Sequence, residues 1–172
     1  LTIEPRPGRD LVAQAIEFSR RKIEASGRVY LIDDEEADRL SRLFATIGTA
    51  AVLRHGDRPI SIDLFIEYED EAYAFQGGYD AAYAKASPGL LSIRHGVEHF
   101  KRRGFRSMHF LWGDGDYKAQ LGARKVPLST LIVPRNRTVW LNRRLLIEAA
   151  QFSFLDLKQR VKQHSTIARL LQ

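Results

Sequence analysis

Residues 86–104, ASPGLLSIRHGVEHFKRRG, read as one helix standing between two strand-like runs, and this order limits the fold more than any other feature of the chain. Ser87 is a good N-cap, Pro88 falls at the first helical position, and Lys101, Arg102 and Arg103 suit the C-terminal dipole before Gly104. Leu90, Ile93, Val97 and Phe100 recur at helical spacing and form the expected buried stripe. AYAFQGGYD precedes the helix and SMHFLW follows it. A strand, a crossover helix and a second strand in one sheet connect right-handedly, so these two strands should run parallel.

Upstream the pattern changes. In ISIDLFIEYE, Ile60, Ile62, Leu64 and Ile66 alternate with Ser61, Asp63, Phe65 and Glu67, which is the period of a strand. Turns at GDRP and EDE join this run to TAAVLRH before it and AYAFQGGYD after it, giving an antiparallel meander. Two amphipathic helices come first. Asp10 to Ser26 carries Leu11, Val12, Ala15, Ile16 and Ile23 and stops at Gly27. DDEE opens the second, with Ala37, Leu40, Leu43, Phe44 and Ile47 on one face and Gly48 at its end. RVYLI, between them, reads as a brief strand. Further on, a short helix follows SMHFLW, LSTLIV and TVW read as strands, and the chain from Leu141 reads as helix. The expected class is α/β (α+β): a mixed, mainly antiparallel sheet with one parallel pair, flanked by helices, plus a long C-terminal helical segment.

Composition narrows what such a fold can do. The chain has 172 residues, enough for one substantial core, and no cysteine, so disulfides and thiolate metal sites are excluded. Its net charge of +6 suits anionic ligands. The basic residues are nonetheless spread along the whole chain and the aromatics do not interleave with them, which argues against nucleic acid as a partner. No apolar run approaches the roughly 18 residues of a membrane span, and no signal-peptide pattern opens the chain, so a cytoplasmic protein is expected. The first residue is Leu1 rather than methionine, as in a fragment or a trimmed chain.

Three motifs bear on chemistry. HGVEH matches the inverted zinc-protease pattern at His95, Glu98 and His99. That face lies opposite Leu90, Ile93, Val97 and Phe100 and no third ligand is evident, so a solvated face is the better reading and no metal is expected. YAKASPG joins a strand to a helix N-terminus, where free N–H groups attract anions and Lys85 adds charge; a well-capped helix start is the plainer account. GDGDYK crowds Asp114, Asp116, Tyr117 and Lys118 at the end of the strand after the crossover, where open α/β sheets place ligands. These residues supply an acceptor, a proton carrier and a cation, although a solvated strand end would account for them equally well.

The order of elements settles which reading to pursue, because it resembles the GNAT acyltransferase fold. Tyr83, SPGLL, Gly104, HFLWGD and DYK are similar to motifs in the second half of the CelD-type, cellulose-biosynthesis-associated acetyltransferases, relatives of the FemAB peptidoglycan aminoacyltransferases. The likeness covers most of residues 10–126. This chain carries His109 where those proteins commonly have aspartate, and KASPGL where typical GNAT enzymes have their pyrophosphate loop. The resemblance implies a GNAT-like domain over residues 1–140 and a C-terminal helical extension over 141–172. It implies transfer of an acyl group from acetyl-CoA or another acyl-CoA to an amine or hydroxyl of a sugar, amino acid or envelope precursor, without a metal. Asp116 would accept or orient a proton, Tyr117 would protonate the leaving group, and Lys118 would stabilise negative charge. Lys85, Ser87, Gly89 and Leu90 would hold the donor, and Asp114, Tyr79 and Tyr83 the acceptor. Because such relatives carry two GNAT-like halves, a second copy of the chain or a missing N-terminal half-domain is the implied protein partner. A FemAB-like aminoacyltransferase using charged tRNA and a non-catalytic binding module of the same fold are the alternatives.

Overall fold

The computed structural model describes residues 1–111 and 115–127. Within them Leu1–Lys125 form one compact unit. Asp114, the strands read at LSTLIV and TVW, and the C-terminal helical segment lie outside the described residues.

A sheet in the order β1-β2-β3-β4-β5 forms the middle layer. The edge strand β1 (Thr2–Pro5), not expected from the sequence, pairs antiparallel with β2 (Gly48–His55). β2, β3 (Arg58–Tyr68) and β4 (Glu71–Tyr79) make the antiparallel meander, and β5 (Ser107–His109) runs parallel to β4 as the crossover rule required. The fold class read from the sequence therefore holds.

Helices cover both faces. α1 (Arg9–Ala25) and α2 (Asp34–Ile47) bury Val12, Ile16, Leu40 and Phe44 against Val52, Ile62 and Leu64. α3 (Pro88–Arg102) buries Ile93 and Phe100 against Ala51, Phe65 and Ala72 on the other side. Gly96 is what lets α3 settle, since a side chain there would stand 2.4 Å from the Phe65 ring. The glycine stops are as expected. Gly27 (φ +72°) and Gly104 (φ +80°) are left-handed, and the residues after them donate back to Ile23 and Phe100 in Schellman fashion.

Four local readings need correction. Among the described residues RVYLI pairs with no strand. Tyr30 is tied by a 2.5 Å bond from the Gln76 amide, while Val29 and Leu31 are exposed. Leu43 and Ile47 are also exposed, because α2 packs through Ala37, Leu40, Ser41 and Phe44. On α3 the stripe is rotated, with Ser92 and Gly96 buried and Val97 only half-buried, because it must fit over Ser61, Asp63 and Phe65. Ser87 stands at the N-cap position, but its backbone is left-handed (φ 49°, ψ 48°) and its side chain caps nothing. Asp33, by contrast, accepts from the Glu36 N–H at the start of α2.

Candidate active site

The site follows from how β4 and β5 meet. Register joins them only at Glu71↔Ser107, Ala72↔Met108 and Tyr73↔His109. Side chains clamp this end: Glu71 accepts from Ser107 Oγ at 3.0 Å and from Arg106 at 2.8 Å, and Tyr73 stacks on His109 at 4.7 Å. Beyond Tyr73 the strands part, and β4 continues to Tyr79 without β5 beside it. Phe75 is an extra residue on β4, bulged between Leu64↔Gln76 and Phe65↔Ala74. A cavity of about 350 Å³ opens along the unpaired stretch, with the start of α3 on one side and Phe110 and Leu111 on the other.

Two of the cavity's residues, Ser87 and Leu111, are non-glycines with positive φ (49° and 46°). Such backbone costs roughly 1–3 kcal/mol each and collects at ligand sites. Gly78 brings α1 to the same wall; a side chain there would stand 2.7 Å from the Ser19 backbone nitrogen.

The short helix α4 (Asp116–Gln120) carries the DYK motif in its first turn. Tyr117 lines the cavity with its ring edge-on to Phe110 at 6.4 Å. Burial pushes its hydroxyl above the ordinary tyrosine range, and the charge of Asp63 adds to that, so it holds its proton firmly at neutral pH. Lys118 turns back and donates to the Phe110 carbonyl at 2.7 Å, bracing the strand end. Asp116 is exposed on the first turn. Of the residues read from the sequence, Tyr117, Tyr79, Ser87, Gly89 and Leu90 meet at the cavity. Asp116, Lys118, Lys85 and Tyr83 do not line it, and Tyr83 instead bonds His55 Nδ1 at 2.8 Å.

The sequence reading missed Asp63, Ser92, Lys22 and Gln76. Asp63 lies in the wall on the central strand, 8% exposed, and accepts from the Ser92 hydroxyl. Ser92 in turn lies 2.8 Å from Ser61 Oγ. Burial pushes the Asp63 carboxyl up to about 7, although Ser92 and Lys22 work the other way. Lys22, from α1, reaches over the Tyr79 ring at 5.8 Å. A signal was present in the sequence: an acid midway along an apolar strand, facing a glycine pair on the next.

Comparison with known proteins gives the same architecture. The family described as acetyltransferase (GNAT) domain matches residues 12–119. No curated protein matches the chain by sequence. Among solved structures, an aminoglycoside acetyltransferase from an uncultured soil metagenomic sample, in complex with sisomicin, is similar at TM-score 0.54 and 15% identity, over 78% of this chain and 96% of that one. A GCN5-related N-acetyltransferase from Ralstonia eutropha JMP134 gives 0.56 at 16% identity, over 77% and 97%. A putative acetyltransferase from Agrobacterium tumefaciens str. C58 gives 0.56 at 12%, over 78% and 100%. At these identities the structural likeness speaks for the fold alone.

Proposed function

This chain belongs to the acetyltransferase (GNAT) domain family and is an acyltransferase, and from that premise we propose that it transfers an acyl group from acyl-CoA to an amine or hydroxyl of a sugar, amino acid or envelope precursor. The parting of β4 from β5 beside the start of α3 carries this reading. Among the described residues no strand pairs with β4 on that side from Ala74 to Tyr79, so its backbone groups are open to the amides of an extended pantetheine arm. At the start of α3, Pro88 has no N–H, and Leu90 and Leu91 spend theirs on the Ser87 carbonyl at 3.0 and 3.3 Å. Gly89 is left as the donor toward an anion, with the helix dipole behind it. The residues therefore fit a donor held mainly by its arm and less by its pyrophosphate.

When bound, acyl-CoA supplies the thioester carbonyl that the acceptor attacks. In this proposal Tyr117 protonates the leaving thiolate, Lys118 and Asp116 set α4 around it, and Tyr79, Tyr83 and Asp114 belong to the acceptor side. SPGLL and DYK support a place in the CelD-type branch. In this reading the acyltransferase domain covers 1–140 with an extension at 141–172, and a second copy or a first-half domain is its protein partner. Among the described residues no helix is long and apolar enough to cross a membrane, and a cytoplasmic location fits the use of acyl-CoA.

Titration calorimetry with acetyl-CoA tests the reading. Binding is expected for the wild type and, unchanged, for Tyr117→Phe. Turnover of that variant is expected to fall on the order of 10²-fold, the usual cost of removing a positioned proton donor. A wild type that ignores acetyl-CoA but binds RNA in a salt-sensitive way would instead support an aminoacyltransferase.

A further inference from the structure

RVYLI has no use in the sheet or at the cavity. Its burial nonetheless alternates as in a strand. Tyr30 and Ile32 pack against the core that α1 and α2 share with the sheet, while Val29 and Leu31 stand 81% and 78% exposed. Among the described residues no hydrogen bond reaches the backbone of residues 29–32, so these groups are left to solvent. An open edge of this kind is a template for another chain unless something guards it. The sheet's own edge strand β1 is guarded: it is four residues long, ends in Pro5 and has Glu4 held by Arg54 at 2.7 Å. Residues 28–34 contain no proline, glycine or lysine. The charges at the two ends of the run say what fits it. Arg28 and Asp34 are exposed, and among the described residues neither enters an ion pair. Arg28 gives its Nε only to Ser26 Oγ, at 2.9 Å. A strand that begins with a cation and ends with an anion is complementary to its own antiparallel copy.

We infer that RVYLI is a docking strand for a second copy of this chain, the two runs pairing antiparallel across a two-fold axis at Leu31. Such a pair sets residues of like face opposite each other, so the axis passes through a residue rather than between two. About Leu31, Tyr30 lies opposite Ile32, Val29 opposite Asp33, and Arg28 opposite Asp34. Arg28 of each copy then meets the acidic first turn of the other copy's α2, and the contact occurs twice in the dimer. About Tyr30 instead, Arg28 would face Ile32 and Asp33 would face Gly27, which leaves both charges unmatched. Leu31 meets its twin on the axis with Val29 diagonal to it on either side, so both side chains lose exposure to water. The ladder is short, and a weak, concentration-dependent dimer is expected. Pairing of this kind neither needs nor follows from acyl transfer, and it gives the second copy named above a place to bind.

Sedimentation of the full chain over rising concentration tests this. The wild type is expected to move from the 19.7 kDa of one chain toward twice that mass. Leu31→Arg, which sets two cations together on the axis, is expected to stay monomeric. Arg28→Asp and Asp34→Arg each set like charges opposite one another and should weaken self-association by on the order of 10-fold or more. An equal mixture of these two variants matches opposite charges again at both ends, and it should associate as well as the wild type. All four positions of the pairing ends and axis are exposed, so circular dichroism should show each variant folded. In the wild type, amide exchange within residues 29–33 should slow as the concentration rises. A wild type that stays monomeric overturns the proposal, even with those amides protected, because another part of the same chain then covers them. So does a dimer that Leu31→Arg leaves intact, or a mixture of the charge variants that associates no better than either alone. Acetyl-CoA binding is expected to be the same in every variant, and its absence from all of them would count against the acyltransferase reading only.

Discussion

At pH 8, Asp63→Asn is expected to be more stable than the wild-type chain by on the order of 4 kcal/mol, and to lose that advantage as the pH falls toward about 4. In the folded chain burial holds the carboxyl at about 7, against an ordinary 3.8. Below the ordinary value both states carry the proton, and the group contributes no difference. As the pH rises from there, the unfolded chain ionises first and the folded state is progressively disfavoured. Above about 7 the penalty is fully present and constant. An asparagine never ionises, and its amide oxygen can still accept from Ser92. Urea unfolding of both proteins at pH 4, 6 and 8 reads the difference directly. A gap that does not grow with pH would show that the carboxyl is not held in a dry place.

Truncating Phe65 to alanine is expected to cost about 3–5 kcal/mol, as buried Phe→Ala changes do. Its ring is fully buried, meets Phe100 edge-on at 5.3 Å, and lies directly under the bare Cα of Gly96. Removing it leaves a void beneath α3, the helix that carries Ser92 and begins at the cavity. Leu91→Ala, on the same helix but 48% exposed, should stay within about 0.5 kcal/mol of the wild type. Chemical denaturation of the two variants separates the cases. Similar losses would mean that α3 does not rest on Phe65.

The helices and the meander were legible because each rests on a local pattern. Gly27 and Gly104 end their helices through a backbone conformation that only the next few residues complete. The parallel β4–β5 pair was legible for a different reason, since the handedness of a crossover leaves little choice. RVYLI failed because a short apolar run becomes a strand only if a neighbour presents its backbone, and none of the described residues does. The DYK motif was read as a cluster at the strand end, and the structure separates its members. Tyr117 reaches the cavity, while Lys118 is spent on the Phe110 carbonyl.

Sequence by itself determined the layers and the pairing of the meander, and it singled out the strand end beside which the cavity opens. These follow from periods, caps and turns, which act over a few residues. Only the tertiary structure decided that Asp63 belongs to that site. Its alternation in ISIDLFIEYE marks a strand without saying what covers either face, and Asp63 becomes a buried acid because α3, some 30 residues further on, closes over it at Ser92. The opening at Gly77 likewise exists only because β5 leaves β4 after Tyr73. The ionisation of a carboxyl is set by whatever surrounds it in space, and here those surroundings come from four separate elements.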